Sequence, residues 1–178
     1  MRAVIVYESV YGNTRTVAEA IAEGLRGARP DAVVRCVPVT GAGPEVTGSA
    51  DLLVVGGPTH VYGMSSGPSR RMARLAAAGN ERGTGGPGSD PGPGLRTWFR
   101  SLPKPLPGAR GAAFDTRADM LISGGAAHGI AGRLTHHHYG LAAAPEGFVV
   151  EGFVVESTGG PLRTGERERA AGWGASLA

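Results

Sequence analysis

Residue types that would define several classes of protein are scarce in this 178-residue chain. It has a single cysteine, Cys36, which excludes an internal disulfide framework and favours a reducing compartment. No apolar run approaches the length of about 18 residues that a membrane helix needs, and the N-terminus lacks the regions of a secretory signal. We therefore expect a cytoplasmic protein without a membrane span.

Positive charge is present but is not concentrated. The formal net charge is +3, and Lys104 is the only lysine among 18 basic residues. No run of basic residues alternates with aromatic ones, as a nucleic-acid surface would require, so we expect no nucleic-acid partner. The 31 glycines and 13 prolines instead suggest a bias towards GC-rich codons.

Hydrophobic patterning predicts strands and helices that alternate along the chain. Short apolar runs predict strands at 3–7, 32–39, 50–57, 109–115 and within 147–156. Apolar residues at helical spacing predict helices at 14–26, 65–79, 95–102, 124–140 and 164–178. This alternation predicts a single α/β domain over 1–178, with helices on both faces of a doubly wound, five-stranded parallel sheet of order 2-1-3-4-5.

Some segments need separate interpretation. The stretch 83–94 is nearly all Gly and Pro and predicts a flexible surface insertion at about 80–94. In the helix over 65–79, the spacing assigns Met72, Leu75 and Ala76 to the inward face.

The pentapeptide GFVVE occurs twice in succession, at 147–151 and 152–156. A repeat of five residues conflicts with the period of two in a strand. We therefore expect either a bulge near Gly152 or displacement of one copy from the sheet.

Hydroxyl and small side chains follow the first strand, in the stretch SVYGNT at 9–14. The start of the next helix offers free N–H groups and partial positive charge, which suit a phosphate. Gly12 permits close approach of the backbone, and Ser9, Asn13 and Thr14 can add hydrogen bonds. One glycine and the lack of Gly-Lys-Ser/Thr favour a terminal phosphate monoester over a dinucleotide bridge or a triphosphate. The simpler alternative is a helix capped by Asn13 or Thr14.

Two further segments are predicted to reach the same edge of the sheet. GGPTHVYG at 56–63 follows the third strand, and Pro58 and Gly63 predict a stiff, sharply turned loop. FDTR at 114–117 follows the fourth strand, where Arg117 can meet an anionic substrate or pair with Asp119. The simpler interpretation of the first is an ordinary loop that enters a helix.

The pattern S-x-x-G-x-T after the first strand resembles the phosphate loop of the flavodoxin-like family, and the Gly-Pro-Thr segment resembles the loop along the flavin ring in flavodoxin-like quinone reductases. The resemblance covers most of the chain apart from about residues 80–105 and the repeated pentapeptide. It implies FMN as the cofactor. The implied site residues are Ser9, Val10, Tyr11, Gly12, Asn13 and Thr14 at the phosphate, Pro58, Thr59, His60, Val61, Tyr62 and Gly63 along the ring, and Asp115, Thr116 and Arg117 in a third segment.

The resemblance implies an electron-transfer protein in which the flavin carries the chemistry, so that no metal or protein nucleophile is required. Tyr62 would stack on the ring and His60 would lie near its N1/O2 edge. The implied partners are a reduced nicotinamide or protein donor and a quinone-like acceptor, and a homo-oligomer is possible.

Two alternatives stay open. No aromatic residue lies between Asp115 and Gly125, so a flavodoxin-like domain that has lost FMN and serves in binding or regulation is the first. A receiver-type domain is the second, although Glu8, Asp115 and Asp119 are its only nearby acids.

Overall fold

The computed structural model describes residues 1–60, 63–78, 92–119, 125–142, 150–157 and 159–178. The glycine- and proline-rich stretch at 83–91, Val61 and Tyr62, and the start of the repeated pentapeptide lie outside these ranges, as do the side chains of His60 and Ala76.

Strands and helices alternate as the sequence predicts. The strands are β1 (Arg2–Tyr7), β2 (Val33–Pro38), β3 (Leu52–His60), β4 (Gly63–Met64), β5 (Arg110–Ala118), β6 (Gly140–Leu141) and β7 (Val150–Val155). The helices are α1 (Asn13–Ala28), α2 (Pro44–Thr47), α3 (Gly67–Ala78), α4 (Leu95–Trp98), α5 (Ala126–His136) and α6 (Glu166–Ser176), with short 3-10 turns at Val39–Gly41 and Phe99–Ser101.

The five main strands are parallel and run in the order β2-β1-β3-β5-β7, which confirms the predicted topology. Two short strands are additions that the sequence pattern did not predict. β6 pairs with the first two residues of β5, and β4 runs antiparallel to the end of β3. Because β1 and β3 are neighbours at the centre, the segments that follow them meet at one edge.

Each central strand is buried on both faces, as its continuous apolar sequence predicts. In β1, Ile5 points towards α1 and α6, in a cluster with Phe114 and Trp173. Val4 and Val6 point to the opposite face. The core on that face is completed by Phe99, Ile130 and Leu134, so the predicted helices over 95–102 and 124–140 bury the expected residues.

The orientation predicted for α3 is wrong. Met72 and Leu75 are 67% and 64% exposed, whereas Ala73 between them is buried. Among the described side chains of this helix Ala73 is the buried one, and its carbonyl accepts a hydrogen bond from the Tyr11 hydroxyl at 3.0 Å. Helical spacing showed which residues share a face of the helix, but not which face of the helix packs against the protein.

Of the two alternatives for the repeated pentapeptide, the bulge near Gly152 is wrong, and displacement of the first copy falls on residues 147–149, outside the described ranges. β7 pairs with β5 residue for residue, from Ala113 beside Val150 to Ala118 beside Val155. Glu151 therefore shares a face with the fully buried Phe153, the conflict that a bulge would have removed. Arg169 resolves it, because its guanidinium lies 4.5 Å from the centre of the Phe153 ring and donates to Glu151 at 2.7 Å.

None of the helices in the described part of the chain combines the length and the hydropathy that a membrane span requires.

Candidate functional site

The candidate site lies at the carboxyl edge of the sheet, where β1, β3 and β5 end. β3 and β5 are longer than predicted, reaching His60 and Ala118. Gly57 pairs with Asp115, and Pro58 pairs with Thr116. The second predicted loop segment up to His60 and the whole of the third are therefore strand residues held in fixed register, rather than loops.

The start of α1 is capped only in part. Gly12 precedes the helix with φ = 94°, a left-handed conformation that favours glycine, and as glycine it has no side chain that could cap the first N–H groups. The Ser9 hydroxyl oxygen accepts hydrogen bonds from the N–H groups of Gly12 (3.2 Å) and Arg15 (3.4 Å) and so folds the loop. The alternative of a cap from Asn13 or Thr14 is wrong, since both side chains have partners elsewhere.

The start of α5 at the same edge is already occupied. The Thr59 hydroxyl oxygen accepts a hydrogen bond from the Ala126 N–H at 3.0 Å. The Asp115 carboxylate accepts one from the Ala127 N–H at 2.9 Å. Two helices thus begin near one another. At α1 a side chain reaches only the Arg15 N–H, through Ser9 at 3.4 Å, so the Asn13 and Thr14 N–H groups have no side-chain acceptor among the described residues.

The first and third segments are joined by a pair of buried hydroxyls. Thr14 is 2% exposed and its oxygen lies 2.8 Å from that of Thr116. Thr14 therefore forms part of the wall beneath the loop rather than an exposed ligand.

The residues after β7 form another wall of this loop, which sequence reasoning missed. The Asn13 side-chain amide donates to the Gly160 carbonyl at 2.7 Å. The Tyr11 ring lies against Gly159, where an added side-chain carbon would sit 3.2 Å from it. The adjacent glycines of STGG, at the carboxyl end of the fifth main strand, were the signal that could have found this contact.

Glu8 is a buried carboxylate that links three separate segments. One of its oxygens accepts a hydrogen bond from the Ser65 hydroxyl at 2.5 Å, and the other accepts one from the Leu95 N–H at 2.9 Å. Arg96 adds bonds to the carbonyls of Met64 and Ser65, both at 3.0 Å. The partners of Glu8 are 57 and 87 residues away from it in the chain, so no local sequence pattern could reveal this role.

The second segment is a β-hairpin. Thr59 pairs with Met64, and His60 pairs with Gly63. The stacking predicted for Tyr62, the ring-edge contact predicted for His60 and the position of Val61 lie outside the described side chains. Beyond the hairpin, Ser66 and Ser69 cap α3 reciprocally, because each N–H is bonded to the other's hydroxyl.

Asp115 and Arg117 form a loose ion pair, with 3.9 Å between Arg117 Nε and Asp115 Oδ1. Asp115 is completely buried, and burial raises its pKa, although the Ala127 N–H, Arg117, Thr59 and His128 oppose the shift. Pairing of Arg117 with Asp119 is wrong, because Asp119 binds Arg163 at 2.7 Å.

A parallel sheet of this order is the arrangement of the flavodoxin-like class of doubly wound proteins. The sequence model of the family described as "Flavodoxin domain" matches residues 4–67, which include the first two segments of the site. The chain is thus similar to flavodoxins, as its loops predicted. Flavodoxins are FMN proteins, so this similarity also supports the predicted cofactor.

Solved structures agree over the whole chain. A flavodoxin from the domain Archaea is 20% identical, with a TM-score of 0.63 over 100% of this chain and 96% of its own. A WrbA-like flavodoxin protein from Agrobacterium tumefaciens is 20% identical, with a TM-score of 0.57 over 99% and 94%. A flavodoxin of Streptococcus pneumonia TIGR4 is 16% identical, with a TM-score of 0.62 over 99% and 97%. These likenesses establish the fold, and no curated protein matches the chain.

Proposed function

We propose that this protein binds FMN and transfers electrons as an oxidoreductase, from a reduced nicotinamide or protein donor to a quinone-like acceptor. The observation that carries the proposal is the difference between the two helix starts. The protein's own Thr59 and Asp115 occupy the start of α5. At the start of α1, Ser9 reaches only the N–H groups of Gly12 and Arg15, so those of Asn13 and Thr14 have no side-chain acceptor among the described residues and suit a phosphate dianion.

The described residues fit FMN in the following way. The loop from Ser9 to Thr14 would hold the phosphate, with its shape fixed by Ser9 and by the Tyr11 and Asn13 contacts. The hairpin from Pro58 to Gly63 would line the ring. Bound FMN supplies one- and two-electron chemistry at its ring system, so the chain's own task is to bind and orient it. A cytoplasmic location is part of the same proposal.

A comparison of FMN with riboflavin tests the phosphate assignment directly. Riboflavin has the same ring system but no phosphate, so the ratio of the two dissociation constants isolates the loop. We expect apoprotein to bind FMN at least about 100-fold more tightly than riboflavin, a difference of roughly 2.7 kcal/mol. Fluorescence quenching on titration measures both values. Equal affinities would overturn the phosphate site, and failure to bind either flavin would overturn the proposed function.

The substitution Ser9→Asp makes the test specific to the loop. A carboxylate at this position can still accept the N–H groups of Gly12 and Arg15, so the loop keeps its fold. It also places a negative charge beside the phosphate. We expect FMN affinity to fall to that of riboflavin while riboflavin affinity is unchanged. Thr14 is unsuitable for such a variant, because an acid there would be buried.

Steady-state assays then separate an enzyme from a plain carrier. We expect FMN-loaded protein to oxidise a reduced nicotinamide dinucleotide with reduction of a benzoquinone. Protein that binds FMN but catalyses neither step would be an electron carrier for protein partners.

A further inference from the structure

The guanidinium group of Arg117 lies at the site edge with little neutralisation. Its side chain is 30% exposed, and its nearest carboxylate oxygen, Asp115 Oδ1, is 3.9 Å away, beyond hydrogen-bonding distance. Asp115 Oδ1 is itself buried and has no hydrogen-bond partner in the described structure. Burial also raises the pKa of Asp115, which weakens its negative charge. The next acid along the chain, Asp119, is bound to Arg163.

The guanidinium group of Arg117 occupies space that is left by the absence of side chains at two glycines. The guanidinium lies directly over Gly152 of β7, where any side chain would collide with its Nη2 atom. On the other side is Gly125, the residue before α5. A side-chain carbon at Gly125 would lie 2.8 Å from Asp115 Oδ2, 3.0 Å from Arg117 Nη1 and 3.3 Å from His128 Nδ1. The Asp115 Oδ2 atom is already engaged by the Ala127 N–H. Arg117 and the exposed His128 therefore supply the nitrogen atoms that converge on this glycine surface.

We propose that Arg117 and His128 form an anion subsite for the reductant, which is a reduced nicotinamide dinucleotide held through one of its phosphates. This inference rests on the proposed function and selects one of its two classes of donor. A guanidinium with free donors at a glycine surface is suited to a phosphate oxygen. The helix start of α5 does not take this anion, because Thr59 and Asp115 already occupy it.

The reaction that the subsite serves is balanced by its two substrates and one proton from solvent. A hydride, carrying two electrons and one proton, leaves C4 of the dihydronicotinamide for the flavin, and the oxidised dinucleotide departs. The quinone then takes the two electrons, that proton and the solvent proton and leaves as a hydroquinol. The donor is an anion and the quinone is neutral, so a subsite for anions acts on the first half of the reaction alone.

The test is a comparison of Arg117→Gln and Arg117→Lys with the FMN-loaded wild type. Flavin reduction by NADH is followed in a stopped-flow instrument, and its dependence on NADH concentration gives the dissociation constant and the limiting rate separately. We expect Arg117→Gln to raise the dissociation constant about 10-fold or more, as loss of a charge-assisted hydrogen bond implies, with little change in the limiting rate. Arg117→Lys keeps the charge and should recover part of the loss.

The neutral acceptor is the internal control. The KM for a benzoquinone should not change in Arg117→Gln, and each variant is assayed at saturating FMN so that any change in cofactor affinity does not enter the comparison. Arg167→Gln is the matched control variant, because Arg167 is an exposed arginine on α6, paired with Glu23 at 2.7 Å. His128→Asn should raise the NADH dissociation constant, as Arg117→Gln does. Repeating the titrations with NADPH shows whether the 2′-phosphate or the bridging phosphates are bound.

Three results would overturn the subsite. The first is an unchanged NADH dissociation constant in Arg117→Gln, and the second is an equal loss for NADH and the quinone. The third is a wild-type flavin that binds tightly but is not reduced by NADH or NADPH, which would favour a protein donor. Each of these three measurements requires protein with bound flavin. Failure to bind FMN is therefore seen before they begin, and it counts against the proposed function rather than against the subsite.

Discussion

The hydroxyl oxygens of Thr14 and Thr116 lie 2.8 Å apart inside the protein. Thr14 belongs to the first turn of α1, and Thr116 lies in β5 between Asp115 and Arg117. This one hydrogen bond therefore fixes the candidate phosphate loop against the strand that carries the proposed anion subsite.

Removal of one of these hydroxyls leaves the other buried without a partner. We expect Thr14→Val and Thr116→Val each to lower the free energy of unfolding by about 1–3 kcal/mol. The double variant should cost less than the sum, because no unpaired hydroxyl remains. Urea denaturation of the four proteins gives the coupling energy. Additive losses would mean that the two hydroxyls do not depend on each other.

Gly12 should be intolerant of any side chain. Its φ of 94° lies in the region that costs other residues roughly 1–2 kcal/mol, so Gly12→Ala should lower both stability and FMN affinity. Gly27 in the same helix has open space around its Cα and no such conformation. Gly27→Ala should instead raise stability by about 0.5–1 kcal/mol. Thermal unfolding of the pair checks this, and an equal response of both positions would contradict it.

Glu8 should be replaceable by Gln far better than by Ala. In Glu8→Gln the amide oxygen can accept from the Leu95 N–H while the amide nitrogen donates to the Ser65 oxygen, so both bonds survive in a weaker form. Glu8→Ala leaves both partners unsatisfied and should cost roughly 1.5–3 kcal/mol for each bond. Glu19→Ala, which removes an exposed ion pair with Arg15, should cost under about 1 kcal/mol. Denaturant midpoints of the three variants give the order.

The pKa of Asp115 predicts a specific dependence of stability on pH. Burial raises this pKa in the folded state, so folding favours the protonated acid. The resulting contribution is complete below the ordinary aspartate pKa of about 4 and is lost as pH rises through the folded value. Asp115→Asn keeps an acceptor for the Ala127 N–H but cannot titrate. We expect the variant to gain stability relative to the wild type as pH rises above about 4. Chemical denaturation of both proteins across that range measures the difference, and a constant difference would contradict the assignment.

The sequence predicted the sheet because its signals are local. Continuous apolar runs at 3–7 and 50–57 required burial on both faces, and alternation with helices then left one common topology. The loop SVYGNT could likewise be predicted as a candidate anion site, since Gly12 and the helix after it are adjacent in the chain.

The features that sequence reasoning missed depend on distant contacts. The partners of Glu8 are set by how two later segments return to β1. The exposed side of α3 depends on which neighbour it meets, and Ala73 rather than Met72 makes that contact. The bulge was expected because in a regular strand Glu151 shares a face with the buried Phe153. The compensating charge, that of Arg169, lies 18 residues further along the chain.

The contact between Asn13 and Gly160 has a consequence for biosynthesis. It joins residues 147 positions apart, so the loop gains its last wall only when nearly the whole chain has folded. A ribosome-bound chain that ends at β5 would contain every residue of SVYGNT and still lack the surface against which the loop is held. Acquisition of the cofactor would then act as a checkpoint, because only a completed molecule would retain it.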